Sequence, residues 1–242
     1  MDVEHGVTRS QGRFRALWVA AVVTLGAAAL GSLPETIAGT AIGLWFLGAT
    51  YWLVLRSRAP GVEREYGLQL GGLLELEPID GKRLVADCAR ALGWALSVAA
   101  LTFPFFWLGH VQWYGTTRGF APGVGGVELA DQLVAQLAVV ALPEEAFYRG
   151  YLQTALDKIW RPSLRLFGAQ VGPGLLIASA IFAVGHVLTE PYLGRLAVFF
   201  PSLVFGWLRA RTGGIGAGVA FHAACNGFAW YLGRGYGLFG DS

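Results

Sequence analysis

Glu144, Glu145, Arg149, His186, His222 and Asn226 are the side chains in this sequence best equipped to do chemistry, because each lies in an otherwise apolar stretch where an ionisable or amide group is costly. They come from three separate stretches. Glu145 and Arg149 are spaced i, i+4 in the favourable order, so an ion pair is expected. His222 and Asn226 have the same spacing and share a helical face. Glu144 sits about 100° around a helix from Glu145, so the two carboxylates need not do the same job. Groups of these kinds serve proton transfer or polar recognition. Pro143 removes a backbone donor and predicts a helix start or kink. That would put Glu144 and Glu145 in a first turn, where free amides and the helix dipole favour carboxylates.

The elements that must position these residues follow from composition. Of 242 residues, 55% are hydrophobic and 14% charged, against about 25% charged in a soluble domain. Glycine is also abundant, at 35 residues, which suits close packing of membrane helices. Nine tryptophans and eight tyrosines suit the interfacial belts of a bilayer. This composition excludes a soluble cytosolic enzyme, a disordered chain and a disulfide-stapled secreted domain. The expected fold class is all-α: a polytopic integral membrane helical bundle. A net charge of +2 with no basic stripe implies no nucleic-acid partner. Cys88 and Cys225 form no C-x-x-C pattern and fix no redox compartment.

Apolar runs predict seven spans, at 17–33, 37–55, 91–109, 128–158, 174–189, 194–208 and 214–233. A re-entrant or split segment near 128–143 would make eight. The first run lacks a small-residue cleavage site and reads as a retained span. Pro104 predicts a kink in the third. The division expected is 1–90, an N-terminal two-span hairpin with a cytoplasmic polar interval, and 91–242, a membrane-embedded catalytic bundle. Basic groups in the N-terminal arm (Arg9, Arg13, Arg15), in 56–90, at Lys158, Arg161 and Arg165, and at Arg209 and Arg211 alternate with sparse loops. By the positive-inside rule the N-terminus is cytoplasmic, in a bacterial inner membrane. At ~1.5 Å per residue, His186 lies roughly 18 Å deep, His222 roughly 12 Å, and Glu144 roughly 21 Å from the Lys158 cluster. All can meet in one cavity in the middle of the bilayer.

The order Glu-Glu-x-x-x-Arg (144–149), Phe-x-x-x-His (182–186) and His-x-x-x-Asn (222–226) resembles the CPBP family of intramembrane proteases, which includes the type II CAAX prenyl endopeptidases and bacterial Abi proteins. The resemblance covers roughly residues 128–233, and the chain also resembles the myxosortase-type branch linked to C-terminal sorting signals. It implies Glu144 as the base that activates water, assisted by His186. It implies His222 and Asn226 as oxyanion stabilisers, with Glu145 and Arg149 orienting the site. It further implies a membrane-anchored or lipidated protein or peptide as substrate in a lipid bilayer, cut near its C-terminal end, and no cofactor.

Plainer readings stand beside these. Glu145 with Arg149 could be a buried pair fixing helix register, and each histidine alone could be satisfied by a carbonyl. Phe147, Tyr148 and Phe182 read as packing, and His110 as an interfacial residue. Cys225 beside His222 invites a thiol mechanism, but sequence neighbours face different sides of a helix. Zinc held by Glu144, His186 and His222 is the mechanistic rival, although the sequence has no H-E-x-x-H. A proton-coupled transporter or a scaffold is the non-enzymatic alternative. It lacks support from the paired, interrupted segments that transporters show.

Overall fold

A computed structural model describes residues 9–238, apart from 76 and 122 and the side chains of 9 and 10. The N-terminus, whose cytoplasmic side the charge pattern predicts, lies outside the described residues. Among the described residues there are eight helices and one small hairpin: α1 (Arg9–Leu30), α2 (Glu35–Leu53), α3 (Val62–Glu65) and α4 (Gly81–Tyr114). There follow α5 (Gly126–Ile159), β1 (Leu164–Leu166), β2 (Ala169–Val171), α6 (Pro173–Thr189), α7 (Leu193–Thr212) and α8 (Gly216–Gly235). The chain is nearly all-α, as its composition predicts.

Among the described residues, α1, α2, α4, α5 and α7 are long and apolar enough to cross a membrane, while α6 is apolar but shorter. That makes five by length and composition against the seven expected, with α8 carrying too many small and polar residues to reach the same apolarity. The possible extra span near 128–143 does not arise, because α5 is one rod. Large apolar side chains point outward along these helices, among them Trp18, Trp52, Leu96, Phe105 and Phe200. So much exposed apolar surface has no place in a water-soluble monomer and fits an integral membrane protein.

Local chemistry explains the boundaries. The Asp80 carboxylate accepts from the Lys82 amide at 2.9 Å and caps α4 ten residues before the apolar run begins. The helix ends at Gly115, which is left-handed. Gly213 stops α7 in the same way. The 164–171 segment, read from sequence only as a basic loop, is an antiparallel hairpin with Leu164 opposite Val171 and a two-residue Phe167–Gly168 turn at positive φ.

Helix α5 differs most from expectation. Pro143 neither starts nor breaks it. Instead the rod widens into π-helical turns at Gln136–Ala141 and Ala146–Gln153, on either side of Pro143. A missing proline N–H is easily absorbed where the hydrogen bonds already skip to i+5. The expected dipole stabilisation of Glu144 and Glu145 at a helix start therefore has no basis here, and side-chain partners do that work instead.

Around α5, one core joins α1, α2 and α6 through Ala20, Phe46, Phe147, Leu152, Leu156 and Phe182. A second joins α4, α7 and α8 through Ala95, Phe205, Leu208 and Phe221. Phe147 and Tyr148 are core residues, as read from sequence. The 56–80 strap packs beneath the bundle. Leu68 is buried against Gly150, where a Cβ would collide with it, and Gly67 accepts from the Ile215 amide at 2.9 Å.

Candidate functional site

The site lies where α5 faces α8, with α6 and α7 closing it. Glu145 is fully buried and held on both sides. Its Oε2 lies 3.4 Å from Arg149 Nε, and its Oε1 accepts from His222 Nδ1 at 3.2 Å. Arg149, also fully buried, donates to Ser202 Oγ on α7 at 2.9 Å and lies over the Phe182 ring at 4.8 Å. The expected i, i+4 ion pair is therefore present and extends across three helices. Burying opposite charges there is tolerable because they pair with each other and each makes one further hydrogen bond, Glu145 with His222 and Arg149 with Ser202. Gly218 makes room for it, since a Cβ there would sit 3.1 Å from Glu145 Oε2.

Glu144 is placed differently. Its Oε2 lies 3.8 Å from His222 Nε2, its side chain is 13% exposed, and that oxygen has no hydrogen-bond partner. His222 thus stands between the two carboxylates, with Glu145 fixing its Nδ1 edge and Nε2 turned toward Glu144. The ring is stacked on Phe205 at 4.6 Å and 12°, so its plane is set as well as its edges.

His186 donates from Nδ1 to the Phe182 carbonyl one turn earlier, at 3.0 Å. That bond is the plain carbonyl-satisfied reading of a lone histidine, and it leaves the lone pair on Nε2. Phe182 bridges the two histidines, with ring centroids 4.4 Å from His186 and 5.8 Å from His222. No hydrogen bond joins His186 to Glu144 among the described residues. Asn226, one turn beyond His222, donates from Nδ2 to Gln136 Oε1 at 2.8 Å.

Glu144, Glu145, Arg149 and His222 thus form one contact group, His186 joins it through an aromatic ring, and Asn226 flanks it. Cys225 packs in the apolar α4–α7–α8 cluster. No three His, Cys, Asp or Glu among the described residues are grouped to hold a metal ion. Three partners escaped the sequence reading: Ser202, Gln136 and the Phe205 ring. The signal for the first two was there, since each is a hydrogen-bonding side chain inside an apolar span, but neither carries charge.

Residues 126–228 match the family described as Type II CAAX prenyl endopeptidase Rce1-like, a match that spans α5 to most of α8 and takes in every residue of the site. The match names that family and not the myxosortase-type branch. No curated protein and no solved structure matches the chain.

Proposed function

We propose that this chain, which carries an Rce1-like domain over residues 126–228, is an intramembrane endopeptidase. It hydrolyses a peptide bond near the C-terminal end of a membrane-anchored or lipidated protein, in the inner membrane of a bacterium with its N-terminus in the cytoplasm. The observation that carries this reading is the asymmetry of the two glutamates. Glu145 is sealed in the bundle, paired with Arg149 at 3.4 Å through Oε2 and hydrogen-bonded to His222 through Oε1, whereas Glu144 is 13% exposed and its Oε2, which makes no hydrogen bond, lies 3.8 Å from His222 Nε2.

In this mechanism Glu144 takes a proton from a water held with the help of His186 Nε2. The hydroxide adds to the scissile carbonyl carbon, and its negative oxygen is met by the second Nδ2–H of Asn226 and by Nε2–H of His222, which acts here as an imidazolium donating from Nδ1 to Glu145 at the same time. Glu144 then returns its proton to the departing amine, so peptide and water become acid and amine. Glu145 and Arg149 fix the His222 ring, and no step requires a cofactor.

Glu144→Gln, nearly isosteric and not basic, is the test. Terminal-peptide proteomics of host membranes should show new protein termini with the wild type and none with the variant at matched abundance. The loss expected is at least about a thousandfold, in line with removing a catalytic base. Cleavage by a well-folded Glu144→Gln variant would end the role given to Glu144. Cleavage that a chelator abolishes would replace the glutamate mechanism by zinc chemistry.

A further inference from the structure

We infer that Gln136 is a positioning residue for the reaction: it sets which end of the Asn226 amide faces the scissile bond. The inference rests on the protease reading above, in which Asn226 donates to the oxyanion.

An asparagine amide can present either its oxygen or its NH2, and the two ends are nearly the same size. Only the NH2 end stabilises a negative oxygen; the other end would repel it. Gln136 Oε1 accepts from Asn226 Nδ2 at 2.8 Å. That bond uses one of the two N–H groups and holds the nitrogen on the α5 side, leaving the second N–H for the cleft.

Helix geometry explains how Gln136 reaches this position. An α-helix turns about 100° per residue, so eight steps from Gln136 to Glu144 would leave the two about 80° apart. A π turn absorbs one extra residue, giving about seven effective steps and an offset of roughly 20°. The π segment at Gln136–Ala141 lies between them. The contacts follow this alignment: Glu144 meets His222, and Gln136 meets Asn226 one turn further along α8. The widened turn, which costs helical regularity, thus brings an uncharged amide and the base onto one face.

The test uses Gln136→Met, which keeps length but has no acceptor, and Gln136→Glu, which keeps an acceptor at the same reach. Full-length chains are compared by the rate at which new termini form in host membranes, with melting in detergent micelles as a fold control. Gln136→Met should slow cleavage at least about tenfold with an unchanged melting temperature, and Gln136→Glu should restore it to within about threefold of the wild type. Gln136→Asn, one methylene too short to reach, should match Gln136→Met and serves in its place should the latter not fold. In an Asn226→Ala background, Gln136→Met should add less than about twofold, because its only route of action has gone. Effects that multiply in that background, or wild-type cleavage by Gln136→Met and Gln136→Asn, overturn the inference. If Asn226→Ala itself cleaves normally, the oxyanion role falls first, and this inference falls with it by a separate reading.

Discussion

Glu145 and Glu75 are both carboxylates gripped by arginine, one within the bundle and one on the strap beneath it. Glu75 accepts from Arg64 at 2.8 Å and from Arg83 at 2.6 Å, two bidentate grips on one side chain. Its geometry is better than that of Glu145, whose contact with Arg149 is 3.4 Å. Yet the strap pairs reach water through their arginines, Arg64 at 54% and Arg83 at 37% exposed around a Glu75 side chain only 3% exposed, while Glu145 and Arg149 are both sealed at 0%. Short distances therefore do not rank the two. A pair whose arginines stay in water can rehydrate when it is broken, whereas a pair sealed on both sides cannot lose one member without stranding the other. The strap can tolerate change at its clasp, and the bundle cannot.

Arg149→Met should show the largest effect of this comparison. It strands the Glu145 carboxylate and empties the place beside Ser202 Oγ, at a cost of about 3–5 kcal/mol. Thermal melting in detergent micelles should show a large drop. The double variant Glu145→Gln/Arg149→Met should be the more stable of the two, because no buried charge is left alone. A single variant that melts like the wild type would mean that the bundle does not depend on this pair.

Gly218→Ala sharpens the same point on a smaller scale. The added Cβ would meet Glu145 Oε2 at 3.1 Å and the Phe205 carbonyl at 3.5 Å. Elsewhere a flexible carboxylate would simply turn aside, but this one is pinned by Arg149 and His222. A stability loss of about 1–3 kcal/mol is expected, together with a fall in cleavage as His222 shifts relative to Glu144. Unchanged cleavage would show that Glu145 has freedom that its contacts deny.

The same contrast explains what was legible in the sequence. Charged and imidazole groups in apolar spans stand out, so Glu144, Glu145, Arg149, His186 and His222 could be named before any coordinates, and Asn226 with them because it lies one helical turn from His222. The helical rods were legible for the same reason, since apolar runs of about 20 residues have few other uses. Ser202 and Gln136 escaped because an uncharged polar side chain in a helix is common and its partner lies on another helix. The strap escaped altogether: nothing local tells Leu68 that it will pack on Gly150. Pro143 misled because a proline marks a helix start far more often than a widened turn. Pro143, read as an N-terminus, would have separated Gln136 from Glu144, when the π turn brings them into line.

The smallest effect belongs to Glu75. The two guanidinium groups hold its carboxyl well below the usual carboxylate range, through hydrogen bonds first and charge attraction second, and they are themselves held more firmly protonated in return. A carboxyl whose folded-state pKa is lowered contributes stability that is complete above the ordinary glutamate pKa. That contribution fades as pH falls below it, because the unfolded chain then takes up the proton first. The strap should therefore keep its resistance to an acid-active protease from neutral pH down to about 4.5, then lose it progressively at lower pH. Glu75→Gln should remove that acid step and raise strap cleavage slightly at neutral pH, with termini formation by the bundle staying within about twofold of the wild type. High salt should act in the same direction as acid, since the arginines are exposed to screening ions. A bundle that lost its activity with Glu75 would overturn the comparison, because the clasp open to water on its arginine side would then be as indispensable as the sealed one.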